Sequence, residues 1–299
     1  MFQNDAHAIE GSPDAVMDAA MSLAKKILRY PVLWAVIGVL LLMTTPVRAA
    51  LEHYFLYFPT PDLVATPQLY DLPYEDLHFT ADDGTALHGW LVAGQPDAPL
   101  VLFFMGNAGN MSHRLDNLRF LHRLGVSVCI FDYRGYGKSS GKASEQGLYS
   151  DARGLMTALR QRGWEPGRMI FFGRSIGAAV ALQIALEAPP AGLVLESPFT
   201  SIEAMGKTHN PVLFTLFGWA IDATYDNLGK IDQLKGPVLI FHGEEDTICP
   251  PEMARQLYAR ANEPKQLVWI SDAGHNQTFD SGGQLYLEQW TRFVGKVLP

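Results

Sequence analysis

One serine in this chain lies in a pattern that often carries nucleophilic catalysis. Ser175 is the central residue of Gly173-Arg174-Ser175-Ile176-Gly177, which matches Gly-x-Ser-x-Gly. In this pattern a strand turns sharply into a helix, and the serine hydroxyl projects from the bend beside the helix N-terminus. Glycine is expected at both ends because a side chain there would collide with a neighbouring strand or helix. The pentapeptide also fits an ordinary strand-to-helix turn, so a nucleophilic role depends on a base and an acid elsewhere in the chain.

A candidate acid and a candidate base follow later strands. Asp246 comes just after the apolar run 237–242, and His275 comes just after the run 265–271. Both residues are therefore expected at the edge of the sheet where Ser175 also lies. The chain order serine, acid, histidine is the order of α/β-hydrolase triads. We expect His275 to accept the serine proton and Asp246 to orient the imidazole.

Other acidic residues compete with Asp246 for this role. Glu244 and Glu245 lie in the same predicted loop, and Glu196 ends the preceding predicted strand. Asp246 is favoured because its short side chain should face the loop that holds His275.

Two backbone N–H groups are expected to bind the oxyanion that forms when a serine attacks an acyl carbon. The first belongs to Ile176, directly after the serine. The second should come from the loop 106–110, where Asn107 is the first choice and Ala108 the alternative. Small residues in this loop let the backbone approach a substrate closely, although they also suit a plain turn.

Strands alternate with helices from residue 74 onward, which predicts a mostly parallel, eight-stranded sheet covered by helices on both faces. The predicted strands are 74–80, 86–92, 100–105, 126–132, 169–172, 192–196, 237–242 and 265–271. The predicted helices are 111–124, 144–161 with Ser144 as its cap, 176–186, 251–261 and 283–298.

Residues 198–235 interrupt this alternation with an apolar segment that contains Leu213, Phe214, Leu216, Phe217 and Trp219. Ligands bind such sheets at the carboxyl edge, so we expect a small helical cap there within a catalytic domain of residues 74–299. Ordinary core packing is the alternative interpretation.

The amino-terminal region contains an uncharged run that could span a membrane. A polar segment, 1–29, precedes residues 30–47, which are eighteen residues without a charge. Three basic residues stand before the run and only Arg48 just after it, which predicts a signal-anchor with a cytoplasmic amino terminus and an outward-facing catalytic domain. A cleaved signal peptide, which would leave a secreted or periplasmic protein, and a buried helix are the alternatives.

The connector 48–73 is rich in aromatic residues and proline. Such a composition suits a collar at a membrane surface. It also suits an irregular segment packed on the flank of the domain.

Composition excludes some classes of function. The formal net charge is −8, and no stripe of Lys and Arg is present, so nucleic acid is not an expected partner. The two cysteines are too few for a disulfide framework. No cluster of side chains has metal-ligand spacing, so neither a metal nor another cofactor is expected.

Five motifs, in this order, give the chain a resemblance to the α/β-hydrolase superfamily, and in particular to its membrane-anchored serine hydrolases. The motifs are 105–110 (Met-Gly-Asn-Ala-Gly-Asn), 132–139 (Asp-Tyr-Arg-Gly-Tyr-Gly-Lys-Ser), 173–177, 242–246 (His-Gly-Glu-Glu-Asp) and 274–276 (Gly-His-Asn). The resemblance spans about residues 50–299. It implies the α/β-hydrolase fold, the triad Ser175, Asp246 and His275, activity on carboxylic esters or thioesters, and one amino-terminal anchor.

The chain departs from the family pattern at Met105, where the family usually has histidine. Methionine cannot supply the hydrogen bonds of an imidazole ring, so the loop 106–110 should be held differently here. We interpret 132–139 as a structural turn in which Arg134 orients a nearby loop through a buried ion pair.

The sequence therefore predicts a serine hydrolase of esters or thioesters, with acyl lipids or acylated proteins as candidate substrates. A peptidase of the prolyl-oligopeptidase type shares the triad order, but no propeller domain precedes the catalytic part. A membrane-tethered binding protein on a hydrolase scaffold is the alternative outside enzymes, and only Met105 favours it. The oligomeric state is not predicted.

Overall fold

Continuous apolar runs form the inner strands of an eight-stranded sheet in the computed structural model, which describes residues 17–18, 21–22, 30, 34, 37–38, 40 and 44–297. The strands of this sheet are β2 (Tyr74–Thr80), β3 (Ala86–Val92), β4 (Leu100–Phe104), β6 (Ser127–Asp132), β7 (Met169–Arg174), β8 (Gly192–Glu196), β9 (Val238–Gly243) and β10 (Lys265–Ile270). Their order is β10-β9-β8-β7-β4-β6-β3-β2, and β3 alone among them runs antiparallel to its neighbours. The eight-stranded, mostly parallel sheet predicted from the sequence is confirmed.

Helices connect these strands. They are α1 (Thr45–Leu56), α2 (Leu115–Arg123), α3 (Glu145–Gln161), α4 (Ile176–Glu187), α5 (Ile202–His209), α6 (Pro211–Phe217), α7 (Pro251–Arg260) and α8 (Thr278–Val297). Ser144 caps α3 as predicted, because its hydroxyl accepts a hydrogen bond from the Gly147 N–H.

Two helices differ from their predicted bounds. The helix predicted over 111–124 begins as a 3-10 turn, Met111–Arg114, because the Asn110 side chain caps that turn and accepts from the Ser112 N–H. The last span, α8, begins at Thr278 and consists of two helices that meet at Gly283, the predicted start of the helix. Gly283 has φ 44° and ψ −121°, which is not helical and which glycine adopts at little cost.

The segment between β8 and β9 contains two short helices, α5 and α6, as the predicted cap requires. None of the residues of α6 is buried. The exposed apolar side chains of this region are Val212, Leu213, Leu216, Phe217 and Trp219. The His209 ring at the end of α5 lies 2.7 Å from the Ile248 carbonyl oxygen, so the cap contacts the loop that carries Asp246.

The chain divides into two compact units, residues 1–48 and 49–299. Half of the predicted anchor 30–47 lies outside the described residues. Where the structure does describe the chain, none of its helices combines the length and the apolar character that crossing a bilayer requires.

The aromatic and proline-rich connector is partly regular. Residues after α1 form a short strand, β1 (Phe58–Pro59), which pairs in parallel with β5 (Ala108–Gly109) in the loop after β4. Buried Glu52 of α1 accepts a hydrogen bond from the Ala223 N–H at 2.8 Å. The connector of the second unit is therefore packed against the catalytic domain.

The turn after β6 holds a buried ion-pair cluster. The Arg134 guanidinium donates to Asp151, which is fully buried, and to Asp83 in the β2–β3 hairpin turn. This arrangement confirms the predicted structural role of Arg134.

Candidate active site

The strand-to-helix turn at Ser175 holds a strained residue. Ser175 has φ 53° and ψ −120°, a region that side-chain-bearing residues rarely occupy. Its N–H donates to the Glu196 carbonyl oxygen at 2.9 Å, which ties the bend to β8. A Cβ on Gly173 would lie 2.4 Å from the Gly177 oxygen, and one on Gly177 would lie 2.1 Å from the Phe104 oxygen. The predicted need for both glycines is confirmed.

Ser175, His275 and Asp246 meet at the carboxyl edge of the sheet. The Ser175 Oγ lies 3.0 Å from His275 Nε2, and His275 Nδ1 lies 2.8 Å from Asp246 Oδ2. A carboxylate only accepts hydrogen bonds, so Nδ1 carries the proton and Nε2 presents its lone pair to the serine hydroxyl. This is the arrangement in which a histidine can remove the serine proton.

Asp246 is held so that one of its oxygens faces the histidine. The side chain is buried, and its Oδ1 accepts hydrogen bonds from the Ile248 and Cys249 N–H groups at 2.9 and 2.8 Å. These two bonds fix the orientation of the carboxyl group and leave Oδ2 to face His275.

The competing acids lie elsewhere. Glu244 and Glu245 are exposed, although Glu245 lines a cavity of about 440 Å³ beside His275. Glu196 is fully buried, and its carboxylate accepts hydrogen bonds from the Thr278 and Tyr286 hydroxyls. Within the described part of the chain, none of the three forms a hydrogen bond or an ion pair with the His275 ring, whereas Asp246 does.

Arg174 is a functional residue that the sequence analysis did not identify. Its Nε lies 3.2 Å from Glu196 Oε1, and its Nη2 donates to the His275 carbonyl oxygen at 3.3 Å and to Asn276 Oδ1 at 3.2 Å. The residue before the serine therefore positions the loop that carries the histidine. One signal could have found it: an arginine that ends a buried strand needs a carboxylate, and Glu196 ends the next strand at the paired position.

His242 lies beside the acid, with its Nε2 3.5 Å from Asp246 Oδ2. The structure buries the ring completely. Its Nε2 donates to the Cys249 carbonyl oxygen at 2.7 Å. Burial lowers the pKa of His242, so the ring is neutral at physiological pH.

The loop 106–110, called the oxyanion loop below, runs beside the serine. A Cβ placed on Gly106 would lie 3.7 Å from the Ser175 Cβ, which puts the loop in contact with the serine. The Ile176 N–H lies in the first turn of α4, where no intrahelical acceptor exists. Among the described residues, no acceptor is bonded to the Asn107 N–H. Both expected oxyanion donors are therefore available.

Neighbouring segments hold the oxyanion loop, which follows Met105, the position where the family usually has histidine. Met105 is fully buried, and the Tyr133 hydroxyl donates to its carbonyl oxygen at 3.2 Å. The Asn107 carbonyl oxygen accepts from the Tyr136 hydroxyl at 2.7 Å and from the Phe58 N–H at 2.9 Å. The loop is thus held by two tyrosines of the 132–139 turn and by the connector strand.

Among the residues that the structure describes, one group of side chains could offer ligand atoms to a metal. Ligand atoms of Asp246, Cys249 and His275 lie within 4.8 Å of one another. A thiol binds a metal as the thiolate, and burial raises the pKa of Cys249 well above its usual value. Asp246 and His275 are therefore better suited to the hydrogen-bonded arrangement with Ser175 than to binding a metal.

Comparisons with known proteins identify the family of the chain. The family model Hydrolase_4, described as serine aminopeptidase, S33, matches residues 95–228 and 220–282. The uncharacterized protein Rv2307c of Mycobacterium tuberculosis is 39% identical over 246 residues, which cover 81% of this chain and 87% of that protein. The α/β hydrolase domain-containing protein WAV2 of Arabidopsis thaliana is 33% identical over 254 residues, which cover 78% of this chain and 82% of that protein.

Solved structures share the fold. The Pyrococcus furiosus esterase Pf2001 superimposes with a TM-score of 0.65 at 21% identity, covering 80% of this chain and 98% of the esterase. The acetyl xylan esterase from Paenibacillus sp. R4 superimposes with a TM-score of 0.62 at 20% identity, covering 83% of this chain and 92% of that chain.

Asp132 supports the end of the oxyanion loop and carries an unpaired oxygen. Its Oδ1 accepts a hydrogen bond from the Met111 N–H at 2.7 Å, whereas Oδ2 has no partner among the described residues. Desolvation disfavours the charged form and raises the pKa of Asp132 to about 7.

We predict that Asp132→Asn flattens the pH dependence of the free energy of unfolding. The folded protein keeps the Asp132 proton up to about pH 7, whereas the unfolded chain releases it near pH 4. Wild-type stability should therefore fall as the pH rises through this window, by up to about 4 kcal/mol, and the asparagine variant should lack this fall. Urea denaturation across the window measures it, with the exposed Asp82→Asn as the control. Parallel curves for Asp132→Asn and the wild type would contradict the prediction.

Proposed function

Because the chain belongs to the Hydrolase_4 family of α/β hydrolases, we propose that it cleaves carboxylic ester or thioester bonds through an acyl-enzyme on Ser175. The observation that carries this proposal is the hydrogen-bonded line from Ser175 Oγ through the His275 ring to Asp246, with distances of 3.0 and 2.8 Å. Several proteins that share its fold are esterases by name, which also supports ester cleavage.

The mechanism follows from the placement of these groups. His275 Nε2 takes the proton of the serine hydroxyl as Oγ attacks the acyl carbon, and Asp246 stabilises the imidazolium that forms. The Ile176 and Asn107 N–H groups bind the oxyanion. The tetrahedral intermediate collapses when His275 gives its proton to the leaving alcohol or thiol. His275 then removes a proton from water, which attacks the acyl-enzyme and releases the acid.

We predict that Ser175→Ala abolishes labelling by a fluorophosphonate probe and lowers kcat on 4-nitrophenyl butyrate by about four orders of magnitude or more. Asp246→Asn should lower kcat by about 10⁴, because the imidazole then takes the wrong tautomer. The exposed Ser140→Ala is the matched control and should label as the wild type does.

Two outcomes would contradict the proposal. Labelling that persists in Ser175→Ala would assign the reactive serine elsewhere. A folded wild-type protein that neither reacts with the fluorophosphonate probe nor hydrolyses the ester would favour a non-catalytic binding protein instead.

The family description favours a second candidate, a serine aminopeptidase. The same triad cleaves amides when the leaving amine is protonated by the histidine. An aminoacyl 4-nitroanilide that the enzyme hydrolyses as fast as the matching 4-nitrophenyl ester would favour this candidate.

The exposed apolar side chains of the cap support the proposal that the substrate carries an apolar acyl group, such as that of an acyl lipid or an acylated protein. Leu213 and Leu216 of α6 are 58% and 57% exposed and lie one helical turn apart. A contiguous exposed apolar surface often marks a binding site. The contact between His209 and Ile248 links this cap to the loop of the acid.

We predict that kcat/KM rises from the butyrate to the dodecanoate ester, by up to about fourfold for each methylene that becomes buried. Leu213→Ser with Leu216→Ser should flatten that rise. The exposed Leu285→Ser on α8 is the control. A wild-type series without any preference for longer chains would exclude an acyl-lipid substrate.

The membrane anchor over 30–47 stays a proposal, as does the outward orientation of the catalytic domain. Its support is the uncharged run of eighteen residues and the basic residues before it. We expect the full chain to remain in the membrane pellet after alkaline carbonate extraction. Release of the protein into the supernatant would favour a cleaved leader or a buried helix instead.

A further inference from the structure

Arg114 carries a positive charge that forms no ion pair with any carboxylate of the described residues. It lies in the 3-10 turn directly after the oxyanion loop and is half-buried. Its Nη2 donates to the Ala108 carbonyl oxygen at 3.0 Å, and its Nη1 lies 3.4 Å from the His113 carbonyl oxygen. No carboxylate forms an ion pair with Arg114 anywhere in the described ranges, and its buried Nε has no acceptor there. Carbonyl oxygens satisfy part of the hydrogen bonding, and the negative charge that acts on Arg114, that of Glu196, is itself paired with Arg174.

Two buried arginines at this edge of the sheet differ from Arg114, because each forms ion pairs with carboxylates. Arg134 pairs with Asp83 and Asp151, and Arg174 pairs with Glu196. A buried charge without a partner costs free energy, so structural arginines acquire carboxylates. An arginine that lacks one beside a reactive centre is a candidate for binding an anion from outside the protein.

Two contacts place Arg114 near the reacting serine. Ala108, which accepts its hydrogen bond, is the neighbour of Asn107, whose N–H is an expected oxyanion donor. On the other side, Arg174 donates to the His275 carbonyl oxygen, and its charge is close enough to lower the pKa of Arg114. Burial is the largest cause, the Glu196 charge opposes the shift, and the net result lowers that pKa to about 10, so Arg114 remains protonated at neutral pH.

We propose that Arg114 binds a negatively charged group, a carboxylate or a phosphate, that the substrate carries near its scissile ester bond. This inference rests on the proposed ester hydrolysis and specifies its substrate class. A guanidinium has five N–H groups, and two are used by the carbonyl oxygens, so others remain for an anion. Guanidinium groups match the geometry of carboxylate and phosphate oxygens. The chain has a net charge of −8, which repels anions, so a local cation at this position would attract an anionic substrate to the serine.

The experiment compares two esters with the same six-carbon acyl chain, mono-4-nitrophenyl adipate and 4-nitrophenyl hexanoate. We expect Arg114→Gln to lower the ratio of their kcat/KM values, adipate over hexanoate, by about tenfold or more. Arg114→Lys should keep most of the wild-type ratio because it keeps the charge. Arg119→Gln removes an exposed arginine from the next turn and is the matched control for net charge.

Competing anions identify the preferred group. Inorganic phosphate and acetate are added during hexanoate hydrolysis, and the stronger inhibitor of the wild type should lose its effect in Arg114→Gln. An unchanged ester ratio in Arg114→Gln, together with unchanged inhibition, would overturn the proposal. An equal loss for both esters in Arg114→Gln and Arg114→Lys would also overturn it, because Arg114 would then only hold the Ala108 carbonyl and the oxyanion loop.

Failure of the proposed function gives a different result. If wild-type protein neither labels with the fluorophosphonate nor hydrolyses the hexanoate ester, it is not a serine esterase. Calorimetric titration with adipate and with phosphate then measures the anion site by itself. Binding by the wild type that is lost in Arg114→Gln would support the site, and no binding by either protein would overturn it.

Discussion

The buried ion pair between Arg174 and Glu196 joins the parts of the site that must stay aligned. Arg174 ends the strand before the nucleophile, and Glu196 ends the neighbouring strand. The same guanidinium reaches the carbonyl oxygen of His275, while the glutamate accepts hydrogen bonds from Thr278 and Tyr286 of the last helix. Both charges are almost fully buried, so loss of either would leave the other unpaired in a low-dielectric interior. The serine, the histidine loop and α8 are therefore held by one network.

The oxyanion loop is held from the opposite side. Its backbone accepts hydrogen bonds from Tyr136 and from Phe58, and the Asn107 side chain donates to the Leu56 carbonyl oxygen at 2.9 Å. This support comes from the connector and from the turn after β6, in a chain that has methionine at position 105, where the family usually has histidine. The methionine at 105 is accommodated as a buried apolar residue, because the loop's polar contacts are made by its neighbours.

Two features near the site differ in chemical character. The α6 helix presents exposed apolar side chains, whereas Arg114 presents a charge without an ion-pair partner beside the oxyanion loop. Apolar surface contributes binding free energy in proportion to the area buried, and a cation adds selectivity for one charge. A substrate that combines an acyl chain with an anionic group would use both features.

Local patterns in the sequence determined the sheet, its helices and the candidates for the triad. Continuous apolar runs predict buried strands, and a serine, an aspartate and a histidine after successive strands must approach one edge of a parallel sheet. The tertiary structure decided what depends on contacts between distant residues. It distinguished Asp246 from Glu196, since both follow strands and only the packed loops show which carboxylate faces the imidazole. It also paired β1 with β5, left α6 exposed and placed Arg114 where no carboxylate of the described residues forms an ion pair with it. None of these follows from local periodicity, because each is set by which side chains from separate segments meet in the folded chain.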